Sequence, residues 1–159
     1  MKFPRTIRLD VSDINAFPLA AEPEEWAVTG TFAFADVDPA EMTNKEQLAF
    51  RNGWLGIESF GRSTFVQVAV IPDNEFENVV RKLAARLFER YGAPDMLKAA
   101  DAARQEAEYA ASLCDHSAGT MLAIERDFSD QGVTEKIRVI PAQGEGAHAK
   151  IWSMEEDDD

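Results

Sequence analysis

Residues 63–91 read STFVQVAVIPDNEFENVVRKLAARLFERY, and a change of period inside this run sets the fold class. Val66, Val68 and Val70 alternate with Gln67 and Ala69, the two-residue period of a β-strand rich in β-branched side chains. After Pro72 the spacing switches. Phe76, Val79, Val80, Leu83 and Leu87 follow one another at i, i+3, i+4, i+7 and i+11, a single apolar stripe on a helix. Asp73 is the expected cap of that helix, which continues to Tyr91.

Working upstream, residues 54–60 form a second apolar run. With residues 63–71 it predicts a β-hairpin around Gly61-Arg62, the glycine supplying the positive φ of the turn. Working downstream, Gly92 stops the helix and Pro94 opens another over residues 94–114. Ala100, Ala103, Ala107, Ala110, Ala111 and Cys114 give this second helix a small-residue face that lets a neighbour approach closely. Residues 120–127 and 134–140 are strands joined through Ser129-Asp130-Gln131-Gly132 as a hairpin.

The N-terminal part is more irregular. Residues 6–9 predict a short strand with Ile7 and Leu9 on one face, and residues 11–25 a loop. Over residues 26–34, Trp26, Val28, Phe32 and Phe34 share one parity, which predicts a half-buried strand. Asp36-Val37-Asp38-Pro39 is turn chemistry. Thr43 and Glu46 have the spacing of a capping box, opening a short helix to Asn52 that Gly53 stops. Residues 141–147 read as loop and 149–154 as a last short strand.

This order predicts an α+β fold. An antiparallel or mixed β-sheet built from hairpins is packed by two long helices, an αα-hairpin, and one short helix. Residues 1–154 form a single domain, and 155–159 a disordered acidic tail.

Charge narrows the function. Asp and Glu number 29 against 16 Lys and Arg, a net charge of −13. A polyanion or an anionic membrane surface is repelled, so neither nucleic acid nor membrane is an expected partner. Arg81, Lys82, Arg86 and Arg90 share their segment with Glu75, Glu77 and Glu89, which reads as a solvated helix face. Cys114 is the single cysteine, so no intramolecular disulfide is possible and a reducing compartment is expected. With no signal-like N-terminus and no apolar run of membrane-spanning length, a cytoplasmic protein is the expectation.

Four clusters could carry chemistry. Cys114-Asp115-His116 places a thiol, a carboxylate and an imidazole in sequence, the weak catalytic candidates. Consecutive residues at a helix end point in different directions, and the partial negative charge there raises a thiol pKa. The same residues serve equally as a packed thiol and a solvated histidine. Cys114, His116 and His148 with Glu108 match no zinc spacing, so no metal and no cofactor is expected. Asp36, Asp38 and Glu41 gather oxygen ligands after a strand but lack a calcium-loop pattern. Arg62, Ser63 and Thr64, with Gly61, offer a guanidinium, hydroxyls and amides for a phosphate or carboxylate, or simply an ordinary turn. Trp26, Trp54, Trp152 and ten phenylalanines serve a core first. Any exposed among them, with the alanine-rich helix, would build a homodimer interface.

Phe50-Arg51-Asn52-Gly53-Trp54-Leu55-Gly56, Ser59-Phe60-Gly61-Arg62-Ser63-Thr64 and Leu113-Cys114-Asp115-His116 together resemble an uncharacterised family of bacterial domains of unknown function. The resemblance implies a bacterial cytoplasmic protein and no particular activity. The expected function is that of a non-enzymatic cytoplasmic accessory or interaction protein, self-associating as a dimer, with an unidentified protein partner possible. The alternative is a small-molecule enzyme or ligand-binding protein with its site near Cys114, Asp115, His116 and Arg62.

Overall fold

The computed structural model describes residues 1–141. The strand expected over 149–154, the acidic tail, His148, Trp152 and most of the loop expected over 141–147 lie outside the described residues. The fold is α+β. It has two antiparallel sheets formed from hairpins, two long helices packed on each other, and a shorter helix.

The run of alternating valines is the centre of the larger sheet. β5 (Phe65–Val70) pairs with β1 (Lys2–Ile7) on one side, Lys2 opposite Val70 and Ile7 opposite Phe65. On its other side it pairs with β6 (Met121–Ser129), Phe65 opposite Ala123 and Gln67 opposite Met121. β6 and β7 (Gly132–Ile140) form the predicted hairpin, closed by Ser129 opposite Gly132. Gly132 sits at φ 115, a conformation that suits glycine. The strand order is β1-β5-β6-β7, all antiparallel.

Between β5 and β6 the chain inserts α3 (Asp73–Arg90) and α4 (Met96–Ser112). The predicted stripe of Phe76, Val79, Val80, Leu83 and Leu87 is buried, together with Ala84. On α4, Ala99, Ala103, Ala107 and Ala110 are all fully buried. Ala99 rather than Ala100 belongs to that row, and Ala100 and Ala111 pack half-buried beside it. The caps also differ from expectation. Pro72 occupies the cap of α3 and Asp73 its first turn, where the carboxylate favours the helix dipole. Asp95 caps α4 by accepting from the Lys98 amide at 2.8 Å, so Pro94 lies outside the helix.

The smaller sheet, β2 (Ala27–Val28), β3 (Trp54–Gly56) and β4 (Arg62–Ser63), packs on both the larger sheet and the helices, and β1 meets the helices beside it through Phe3 and Phe76. Its alternation divides the core. Ala27 and Trp54 pack with Val66, Val68, Leu122 and Ile124 of the larger sheet. Their neighbours Val28 and Leu55 pack with Leu83, Leu87 and the α4 alanines. The two sheets are joined where β4 runs through Thr64 into β5, and where Arg5 of β1 bridges Trp26.

Four expectations give way here. The strand over residues 26–34 is two residues long and buried on both faces. Gly30, at φ 75, turns it into a 3₁₀ turn over Thr31–Phe34. The hairpin around Gly61-Arg62 holds only between β3 and β4, because β5 leaves for the other sheet. Phe60, at φ 58, takes the positive φ in that turn. Gly61 is needed for closeness instead: a Cβ there would lie 2.5 Å from the Ala20 carbonyl. The loop after β1 contains the five-residue helix α1 (Ser12–Ala16), and β1 itself begins at Lys2. The expected capping box holds: Thr43 Oγ1 accepts from the Glu46 amide at 3.1 Å and the Glu46 carboxylate from the Thr43 amide at 2.9 Å, opening α2 (Asn44–Asn52).

Candidate functional site

The irregular end of β2 and the C-terminal end of α2 meet, where the carbonyls of Thr29, Phe50 and Gly53 lack ladder or helix partners and those of Gly30 and Ala49 hold one backbone amide each. Two arginines fill that gap. Arg62, on β4, is 7% exposed. Its Nη1 donates to the carbonyls of Gly53 (3.1 Å) and Thr29 (3.5 Å), its Nη2 to that of Gly30 (3.2 Å). The side chain threads between two glycines. A Cβ on Gly53 would lie 3.0 Å from Arg62 Cβ, and one on Gly30 2.8 Å from Nη1.

Arg126, on β6, is 1% exposed. Its Nη1 donates to the carbonyls of Phe50 (2.6 Å) and Ala49 (3.4 Å), its Nη2 to that of Thr29, and its Nε to Thr31 Oγ1 (2.8 Å). The guanidiniums lie 4.8 and 5.7 Å from the Phe34 ring centroid, Arg62 the nearer. The carbonyls of Ala49 and Phe50 belong to the negative end of the α2 dipole, which suits a cation.

Electrostatically the two arginines are unequal. Arg126 has Glu135 at 3.4 Å, whereas no carboxylate among the described residues pairs with Arg62. Burial, and then repulsion from Arg126, push the Arg62 guanidinium down to about 9. Burial pushes Arg126 down to about 10, against the opposing pull of Glu135. Both remain cations at neutral pH. Sequence reasoning passed over Arg126, but a signal was present. It shares the parity of Leu122 and Ile124, so its register points inward.

Arg62 also lines a cleft of about 530 Å³. Phe34, Phe60, Tyr91, Leu19 and Met42 supply apolar and aromatic wall, and Asp36, Asp38, Glu41 and Glu46 supply carboxylates. Arg62 and the Asp36–Asp38–Glu41 group, separate candidates in sequence, therefore share one cleft. Ser63 and Thr64 do not join them. The Asp13 carboxylate accepts from the Thr64 hydroxyl (2.6 Å) and amide (3.2 Å). Ser63 Oγ lies 3.0 and 2.8 Å from the carbonyls of Ile7 and Phe65.

Cys114, Asp115 and His116 follow the end of α4. Cys114 is buried with Trp54, Val66 and Leu122, and burial pushes its thiol up to about 12. Asp115 is exposed and His116 half-buried, its carbonyl accepting from Lys2 Nζ at 2.7 Å. No hydrogen bond joins the three among the described residues, and none of them lines the Arg62 cleft. Trp54 is buried, and Trp26 is half-buried with its Nε1 donating to Glu75. On the basic helix face, Lys82 pairs with Glu58, and Arg86 lies over the Phe60 ring at 4.3 Å.

Among the described residues, no group of three or more His, Cys, Asp or Glu is placed to hold a metal ion. No helix among them is long and apolar enough to cross a membrane.

No curated protein and no solved structure matches the chain. A family model does match, over residues 1–156, and the stretches Phe50–Gly56, Ser59–Thr64 and Leu113–His116 lie within that match. The chain belongs to that family, the family of unknown function DUF6505.

Proposed function

We propose that the chain is a non-enzymatic accessory protein of the bacterial cytoplasm that works by association, pairing with a second copy of itself. One observation carries this reading. The end of the α3–α4 hairpin holds Phe88, Met96 and Leu97 out in solvent, with Leu97 83% exposed. Large apolar side chains gathered at one end of a helical hairpin are disfavoured unless covered. A twofold contact would use the same patch on both copies. Arg90 and Lys98 are exposed beside it and balance the equally exposed Glu89 and Asp95, so the patch itself adds nothing to the repulsion that a net charge of −13 sets between copies. The burial of the single thiol speaks against a thiol nucleophile, and a lone cysteine with no intramolecular partner suits a reducing compartment.

Sedimentation velocity over a concentration series tests the reading. A dimer is expected, and Leu97→Glu returns it to monomer without changing the circular dichroism spectrum. A wild-type chain that stays monomeric at about 100 μM, well above the micromolar affinities of modest interfaces, overturns it.

A further inference from the structure

We propose that the Arg62 cleft binds a small zwitterion with an apolar body, an α-amino acid such as phenylalanine or leucine, its carboxylate held by Arg62. This goes beyond association through the helical tip and does not depend on it.

The first observation is the buried cation. A guanidinium carries five N–H donors. Arg62 spends three on the carbonyls of Thr29, Gly30 and Gly53, and no carboxylate among the described residues answers its charge. Its unspent donors include Nε–H, which with Nη2 forms an edge that takes a carboxylate by two parallel bonds. A buried cation without a counter-ion is the costly half of an ion pair, and an anionic ligand supplies the other half.

The second observation is the charge of the lip, which selects among anions. Asp38 accepts from the Ala40 amide and Glu46 from the Thr43 amide. Asp36 and Glu41 are exposed, and their carboxylates have no hydrogen-bond or ion-pair partner among the described residues. Four carboxylates on the lip of the cleft, none of them paired with Arg62, repel a phosphate or a dicarboxylate and attract an ammonium. The third observation is the wall between. Phe34 and Phe60 offer aromatic surface, and about 530 Å³ lies within the roughly 300–1,000 Å³ of small-molecule clefts. Acid end, amine end and apolar body thus each meet a matching part of the cleft.

Because Arg62 also holds the ends of β2 and α2, its replacement disturbs the fold, so the test dissects the ligand instead. Phenylalanine, leucine, phenylacetate, phenethylamine and inorganic phosphate are titrated calorimetrically into the full chain. Phenylalanine or leucine is expected to bind one per chain. Phenylacetate and phenethylamine are each expected to bind about tenfold or more weakly than phenylalanine, the loss of one charge-assisted contact. The exposed double variant Asp36→Asn, Glu41→Gln should lose the same factor for phenylalanine while binding phenylacetate no worse. The proposal is overturned if neither amino acid saturates by about 10 mM, well above a millimolar dissociation constant. It is equally overturned if phenylacetate or phosphate binds as tightly as the amino acids, or if the double variant leaves phenylalanine affinity unchanged. Monomeric protein that binds phenylalanine would refute the association reading alone.

Discussion

Arg62 and Arg126 are like charges that share the Thr29 carbonyl, and this predicts a particular failure of additivity. Replace each by Met, singly and together. Arg126→Met strands the Phe50 carbonyl in the interior, leaves that of Thr29 only the 3.5 Å contact with Arg62, and takes away the cation paired with Glu135, while the Ala49 carbonyl keeps the Gly53 amide. One stranded acceptor, a second left with a weak contact and a carboxylate without its cation, at about 1–3 kcal/mol each and less the relieved repulsion, leave a net loss of about 3 kcal/mol. Arg62→Met strands the Gly53 carbonyl, while that of Gly30 keeps the Ala33 amide, and should cost less, at most about 2 kcal/mol. Two unit charges about 6 Å apart repel by about 1.4–2.8 kcal/mol at an effective dielectric constant of about 20–40, the scale for guanidiniums that meet at one carbonyl. Each single variant recovers that repulsion, but the double variant recovers it only once. The double loss should therefore exceed the sum of the singles by about 1.4–2.8 kcal/mol. Urea unfolding followed by circular dichroism reads all four stabilities, with unchanged slopes as the check on two-state behaviour. Strict additivity, or a double variant more stable than the sum, would show that the arginines do not oppose each other and would refute this account of the site.

With its thiol held near 12, Cys114 is about one part in 10⁴ thiolate at pH 8, against about one part in four for an ordinary thiol near 8.5. Alkylation of folded protein should run more than about 100-fold slower than in urea, and comparable rates would contradict its burial. Burial, then Glu135, raises the pKa of half-buried Glu106, so the fold disfavours its charged form. That cost is present above its folded pKa and vanishes as pH falls through it. Glu106→Gln should then raise the melting temperature by about 1–2 °C at pH 7 and by nothing below about pH 4, with equal effects at both as the refuting result. Gly30→Ala places a Cβ at φ 75, 2.5 Å from Leu55 Cβ and 2.8 Å from Arg62 Nη1. It should cost about 3 kcal/mol, a drop of roughly 10 °C, and a loss below about 1 kcal/mol would mean that the turn is not rigid.

Local pattern carried the regular elements. The valine alternation of β5, the apolar stripe of α3, the capping box of α2 and the β6–β7 turn depend on residues a few positions apart. Their physics is complete within the segment. Part of the site was legible too. Arg62 and the Asp36–Asp38–Glu41 group stood out by residue type, although nothing in sequence joined them. Arg126 was overlooked because an arginine on a strand is ordinarily solvated, and only its parity with Leu122 and Ile124 marked it.

The α+β class and its antiparallel pairing followed from residue order, since hairpins and capped helices form from neighbours. The division into two sheets, the sharing of the core between them and the convergence of Arg62 with Arg126 were decided only on folding. Each depends on carbonyls that one segment leaves unsatisfied and a distant segment fills. Thr29 shows why. Its alternating neighbours promised a longer strand, but Gly30 turns the chain there, and guanidiniums from β4 and β6 take the carbonyl that a ladder would have used. A local pattern records which donors and acceptors a segment carries. Which of them stay unpaired, and what then crosses the fold to meet them, is a property of the packed chain.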